Sequence, residues 1–305
     1  MPMPDNALIL VTGATGAQGG ALIPRLLAQG FRVRALTRNP AKPSAQALAA
    51  RGAEVVAGDL DDPVSLRAAC EGAWGVFAVQ NFWEKGVGFE REIAQGKALA
   101  DAALAAGVGH FLQTSVAGCE EAGDVLHFRS KYEIERHIQS LGLPCTFLRE
   151  VFFMENLFEP VMGNRGKQAV NPALVLATME GCLDRDLSFH MVTVEDIALV
   201  SAAIFADPDK YLGQIVDIAS DSLTVDEMKA IYRRVSGKRT LPLRIPLWAL
   251  RLTNAEAARQ YRWNNRVGWH FDLAPLRADF PQLTTFESFL RSRLVPSQAA
   301  RGATT

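Results

Sequence analysis

Cysteine is scarce in this chain, and none of its four, Cys70, Cys119, Cys145 and Cys182, stands in a C-x-x-C pair or at zinc spacing with a histidine. That spacing argues against a disulfide framework, a metal site or dithiol redox chemistry and leaves reduced structural thiols. No uncharged apolar run approaches the ~18 residues of a membrane span. Met1-Pro2-Met3-Pro4-Asp5 lacks the basic region of a secretory signal. The expected address is therefore cytoplasmic, with no membrane partner. Charge of one sign is missing too: 32 Lys and Arg face 33 Asp and Glu, a net charge of −1, so direct binding to nucleic acid is not expected. The cluster Lys229, Arg233, Arg234, Lys238 and Arg239 is more simply a solvated helix face. There is no internal repeat, low-complexity tract or long linker, and the small, polar Gln298–Thr305 is expected to fray.

What is present begins near the start. Ala7 to Val11 reads as a parallel strand covered on both faces, and Leu22, Ile23, Leu26 and Leu27 follow at helical spacing. The period switches at Thr12-Gly13-Ala14-Thr15-Gly16-Ala17-Gln18-Gly19-Gly20. Glycine at 13 suits a tight turn, at 16 it clears the way for a pyrophosphate, and at 19 it lets helix and strand approach. A helix start there offers free N–H donors and its positive dipole end to phosphate.

At 305 residues, 49% hydrophobic and 21% charged, the chain has room for one large α/β domain and a smaller appended lobe. Strand and helix patterns alternate: Phe31 to Thr37, Ala53 to Ala57, Pro63 to Cys70, Trp74 to Val79, Gly88 to Ala106, His110 to Thr114, Val125 to Leu141 and Pro144 to Leu148. Short crossovers favour a Rossmann-type doubly wound parallel sheet with ligands at the carboxyl ends of its strands. Those ends are Thr12, Arg38, Gly58-Asp59-Leu60, Gln80-Asn81-Phe82, Ser115 and Glu150. Beyond about residue 151 the alternation breaks, with Pro160, Gly163, Gly166 and Pro172 as punctuation and helices Val194 to Phe205 and Val225 to Val235 among short strands. The expected division is a dinucleotide-binding domain over 1–150 and, over 151–305, a smaller C-terminal α+β substrate lobe, packed on the first and not independent.

The end of the second strand lacks the acid that usually grips a free ribose 2′-hydroxyl. Arg38-Asn39-Pro40 stands there instead, with Lys42 close by. A guanidinium fork matches phosphate oxygens, so the expected cofactor is NADP(H) rather than NAD(H).

The glycine spacing, Leu36-Thr37-Arg38-Asn39-Pro40, Ala57-Gly58-Asp59-Leu60-Asp61-Asp62, the Lys131 helix and Val151-Phe152-Phe153-Met154-Glu155-Asn156 occur in that order. Together they resemble the NmrA-like atypical short-chain dehydrogenases/reductases, a likeness that runs to about residue 290. That family includes transcriptional repressors, an NADPH sensor, and reductases of quinones and dyes. The resemblance implies that Gly13, Ala14, Thr15, Gly16, Ala17, Gln18 and Gly19 hold the pyrophosphate and that Arg38 takes the 2′-phosphate. It also implies Asp59 and Leu60 at the adenine, Gln80, Asn81 and Phe82 at the ribose and phosphate, Lys131 at the nicotinamide ribose, and Phe153, Met154, Glu155 and Asn156 over the nicotinamide. Plainer readings stand beside these, with Asp59 as a helix N-cap before Pro63, Asn156 bonding loop backbone and Lys131 as a surface residue.

Ordinary short-chain dehydrogenases carry Tyr-x-x-x-Lys on the helix before the sixth strand, one turn apart on one face. Here His127 holds the tyrosine position, and Tyr132, directly after Lys131, points about 100° around the helix. Ser115 sits like the substrate-orienting serine of active relatives. Candidate catalytic residues are thus Lys131, Ser115 and His127, the last as a general acid near neutral pH or as a half-exposed helix histidine. Two functions follow. One is an NADPH-dependent oxidoreductase of a small apolar acceptor such as a quinone, with Phe82, Trp83, Phe152, Phe153, Phe158 and Trp248 as candidate pocket aromatics. The other is a redox-sensing NADP(H) binder that regulates a protein partner. The lost tyrosine favours the second, and the retained Ser115 and Lys131 favour the first.

Overall fold

The computed structural model describes residues 3–159 and 170–295. Pro160, Gly163, Gly166 and the terminal Gln298–Thr305 lie outside the described residues. In chain order the elements are β1 (Leu8–Val11), α1 (Ala17–Ala28), β2 (Arg32–Thr37), α2 (Pro43–Ala49), β3 (Glu54–Ala57), α3 (Pro63–Cys70), β4 (Gly75–Ala78), α4 (Gly88–Ala105), β5 (His110–Val116), α5 (Leu126–Ser140) and β6 (Cys145–Glu150). There follow β7 (Phe152–Phe153), α6 (Pro172–Cys182), β8 (Phe189–Val192), α7 (Val194–Ala206), α8 (Pro208–Tyr211), β9 (Ile215–Asp217), β10 (Asp221–Leu223), α9 (Val225–Ser236), α10 (Leu247–Thr253), α11 (Ala255–Arg266), α12 (Ala274–Asp279) and α13 (Phe286–Leu294).

The chain divides into two compact units. The first takes the chain up to Glu120, Leu126–Glu150 and Val194–Ile218; the second takes Glu121–Val125, Val151–Thr193 and the chain from Ala219 on. The first holds a seven-stranded sheet in the order β3-β2-β1-β4-β5-β6-β9, with each neighbouring pair parallel. This is the α/β Rossmann-type architecture. β1 and β4 are buried at every position, as strands covered by helices on both faces must be. Strand order reverses beside β1, which pairs with both β2 and β4, and that opens a crevice at the carboxyl ends of these strands.

The sequence reading puts the Val194 to Phe205 helix in the C-terminal lobe, whereas the structure returns it to the first unit. The reason is packing. Ile197, Val200, Ile204 and Phe205 of α7 are fully buried, Arg25 of α1 bonds Glu195 at 3.1 Å, and the Phe205 ring meets His110 of β5 with centroids 5.5 Å apart. β9 then extends the sheet by pairing with β6 from Phe147↔Ile215 to Arg149↔Asp217. The chain therefore crosses between the units again after 150.

The second unit is α+β, with a small sheet in the order β10-β8-β7. Its core gathers around the buried Phe189, whose ring centroid lies 5.3 Å from those of Phe152 and Trp269. Thr224 and Glu227 close a capping box at the start of α9. Among the described residues no helix is long and apolar enough to cross a membrane, and no group of His, Cys, Asp and Glu could hold a metal ion.

Candidate functional site

The β1–α1 turn is held from below by Thr12. Its buried hydroxyl lies 3.1 Å from the Val79 carbonyl and accepts from the Val79 N–H at 2.8 Å, tying the end of β1 to the end of β4. Gly13 is left-handed, φ +57°, and a Cβ on it would lie 2.6 Å from Val79 Cγ1. A Cβ on Gly19 would stand 2.6 Å from the Gly13 carbonyl oxygen and 2.8 Å from Ala14 Cα. Gly13 is required by its dihedral angle as well as by space, and Gly19 by space alone. Gly16 caps α1 with no side-chain hydrogen bond, so no side chain of the cap competes for the first amides of the helix. Ala14 is buried, Thr15, Gly16 and Ala17 are exposed, and Gln18 is half-buried. The turn is thus a backbone cradle open on one side, and it fits the diphosphate of a dinucleotide.

Around it, the strand ends gather a polar network that sequence reasoning only partly anticipated. Lys131 of α5 pairs with Glu92 of α4 at 3.0 Å and donates to the Gln80 carbonyl at 3.3 Å. Glu92, with no exposed surface, also accepts from Ser130. Gln80 accepts from Gln113 of β5 at 2.8 Å. Gln18 donates to Glu150, at the end of β6, at 2.9 Å. Burial pushes the Glu150 carboxyl up to about 8, against the opposing pull of Lys131 and the Gln18 hydrogen bond. One oxygen of Glu150, the side-chain carbonyl of Gln18 and the side-chain amide nitrogen of Gln80 are buried with no hydrogen-bond partner among the described residues, and unpaired polar atoms of this kind suit a polar ligand.

Glu92 and Gln113 went unread, although Glu92 carried a signal. It lies on the same α4 stripe as Gly96, Leu99, Ala100 and Ala103, all buried, and a charged residue on an apolar stripe needs a partner. Glu150 is legible as a strand end, but nothing local to it announces its burial.

Other candidate residues separate into distinct settings. The His127 ring is buried among Phe82, Trp83 and Phe128, at centroid distances of 5.7, 5.0 and 4.8 Å. Ser115, also buried, lies on a different group: its hydroxyl bonds Cys119 Sγ at 3.9 Å, and Cys119 in turn reaches Glu135. Arg149 grips Glu135 with two bonds of 3.0 and 2.8 Å. Burial, with the neighbouring Glu135 charge, pushes the Cys119 thiol far above its ordinary value, which marks it as inert.

At the adenosine end, Arg38 is exposed and pairs with Glu84 at 2.5 Å. Lys42 is exposed at the N-cap of α2. Asp59 accepts from the Asp61 N–H at 3.1 Å in an Asx turn, with Leu60 half-buried beside it. The cap of α3 is Asp62, which accepts from the Val64 N–H at 3.0 Å, so the N-cap reading of Asp59 does not hold. Asn81 accepts from the Trp83 N–H at 3.1 Å. Phe153, Met154, Glu155 and Asn156 lie in the second unit, at the end of β7 and in the single 3-10 turn that follows. Phe158 meets Phe289 edge-on there, and Trp248 is 70% exposed.

A glycine-spaced turn entering α1 at the strand-order reversal defines the class: a Rossmann-type α/β fold with its ligand crevice at the carboxyl edge of the sheet. Residues 5–265 match the model of the NmrA-like family, and the chain belongs to that family. An NmrA-like family domain-containing oxidoreductase of Aspergillus hancockii is 33% identical over 249 residues, 76% of this chain and 73% of that protein. Among solved structures, an NADPH-dependent quinone oxidoreductase from Escherichia coli, complexed with NADPH, superposes with a TM-score of 0.76 at 23% identity, over 94% of this chain and 100% of that one. NmrA, a negative transcriptional regulator solved with NADP and with NAD, gives TM-scores of 0.72 and 0.73 at 22% and 21% identity, over 98% of both chains. At that identity these structures speak to the fold.

Proposed function

We propose that the chain is an NADPH-dependent reductase of a small apolar acceptor such as a quinone. In this reading the amides of Gly13 to Gly19 seat the diphosphate, and Arg38, with Lys42 near it, takes the 2′-phosphate. Asp59 and Leu60 flank the adenine, and Gln80, Asn81 and Phe82 line the ribose side. Lys131 holds the nicotinamide ribose. The observation that carries the reading is the anchoring of Lys131: its ammonium is drawn to the end of β4 by the Gln80 carbonyl and fixed there by the buried Glu92. A lysine with only a surface role has no need of a fully buried carboxylate partner.

When bound, the nicotinamide supplies the hydride. The protein's part is then to orient the acceptor and exclude water, and a quinone needs no dedicated tyrosine acid. The aromatic enclosure of His127 by Phe82 and Trp83 favours a second reading, a sensor in which the Phe82 to Phe89 turn reports NADP(H) to a protein partner. NADPH oxidation against a panel of quinones and carbonyls separates the two. Turnover well above that of Lys131→Ala is the expected result. Absence of turnover, with NADPH protecting the Phe82 to Phe89 turn from proteolysis, would support the sensor.

A further inference from the structure

We infer that Glu84 decides between the two nicotinamide dinucleotides, by holding Arg38 in the place that a ribose 2′-phosphate would take. The inference rests on the cofactor reading above and adds to it a residue that the glycine turn and the second strand do not reveal. Arg38 directly follows β2, with its guanidinium on the Glu84 carboxylate at 2.5 Å. Glu84 arrives there on a built turn. The Glu84 N–H donates to the Asn81 carbonyl at 3.1 Å, Val87 N–H to the Glu84 carbonyl at 2.9 Å, and Gly88 N–H to the Phe82 carbonyl at 3.1 Å. Arg91, in the first turn of α4, is taken by both carboxylate oxygens of Asp61 and also reaches the Gly86 carbonyl.

A phosphate dianion on the Arg38 fork would face the Glu84 carboxylate at close range, and two like charges so placed repel. The 2′-phosphate must therefore displace Glu84. A free 2′-hydroxyl need not, because the carboxylate can accept its hydrogen bond, the service that an acid at the end of the second strand gives in other folds. Displacing Glu84 also pulls on the turn that carries Phe82 and Trp83, whose rings lie against His127, one helical turn before Lys131. Occupancy of the phosphate site is thereby coupled to the packing beside Lys131.

The test is calorimetric titration of NADPH and NADH into the wild type, Glu84→Gln and Glu84→Ala, each also in an Arg38→Ala background. Both Glu84 variants should bind NADPH about fivefold more tightly, the upper range for an exposed ion pair, and NADH no more tightly than before. The gain should vanish without Arg38. Trp83 emission should respond to adenosine 2′,5′-bisphosphate and not to 5′-AMP, with Trp83→Phe subtracting the other tryptophans. Equal changes for NADPH and NADH, no change in either, or a gain that persists without Arg38 would overturn the inference and leave the cofactor reading standing. A wild type that binds neither nucleotide would remove both.

Discussion

Glu150→Gln should abolish the loss of stability that the wild type suffers as pH rises above neutrality. Glu150 is 6% exposed, and burial raises its carboxyl from 4.5 to about 8. At low pH the folded and unfolded chains both hold this proton, and the group favours neither. As pH rises past the unfolded value, the unfolded chain gives up its proton while the fold retains it. Stability is then lost at ~1.4 kcal/mol per pH unit until the folded carboxyl ionises. Over the whole interval the loss sums to about 5 kcal/mol.

His110 acts in the opposite direction, since burial lowers its imidazole from 6.5 to about 4. Its contribution is present above the unfolded value and lost as pH falls through the folded one. The two slopes oppose each other in the acid range, so the wild-type decline should be plain only from about pH 6.5 upwards. Subtracting the wild-type curve from that of Glu150→Gln cancels His110 and isolates Glu150, and the glutamine keeps an acceptor for Gln18. The assay is urea unfolding at a series of pH values. The variant should gain on the wild type steadily with pH, by about 5 kcal/mol once both states are ionised. A difference that does not change with pH would refute the reasoning.

Neighbouring glycines should behave oppositely. Gly19→Ala brings a Cβ to 2.6 Å from the Gly13 carbonyl and should cost about 1–3 kcal/mol in unfolding experiments, along with nucleotide affinity. Gly20→Ala meets only the Ala14 carbonyl oxygen at 3.7 Å and should be neutral or stabilising by up to about 1 kcal/mol. In the other buried cluster, Glu135→Gln removes the carboxylate that grips Arg149 with two bonds and leaves, among the described residues, an ion pair with the part-exposed Glu120. It should cost about 3–5 kcal/mol in the same assay, and the double variant Arg149→Met with Glu135→Leu should recover most of that loss.

The first six strands were legible from short apolar or alternating stretches bounded by glycine and proline, even though β3, at the sheet edge, has no buried residue. β1, β2 and β4 differ from expectation by a residue or two at their ends, and α3 not at all. β9 was not legible: three residues long at the sheet edge, with Ile215 47% exposed, it has no alternation long enough to read. The return of α7 to the first unit likewise depends on a tertiary fit to α1 that its near-uniform apolarity does not encode. The glycine cradle could be read from spacing because its requirement is local. The Glu92–Lys131, Gln18–Glu150 and Arg38–Glu84 pairs each join distant segments, and only the folded sheet brings them together at its carboxyl edge.

The central claim is that the Gly13 to Gly19 turn seats a dinucleotide diphosphate. A crystal structure of the protein with NADPH tests it most directly. The account predicts the diphosphate against the first amides of α1, the 2′-phosphate on Arg38 and the nicotinamide ribose within reach of Lys131. A nucleotide bound elsewhere, or none bound at saturating NADPH, would contradict it.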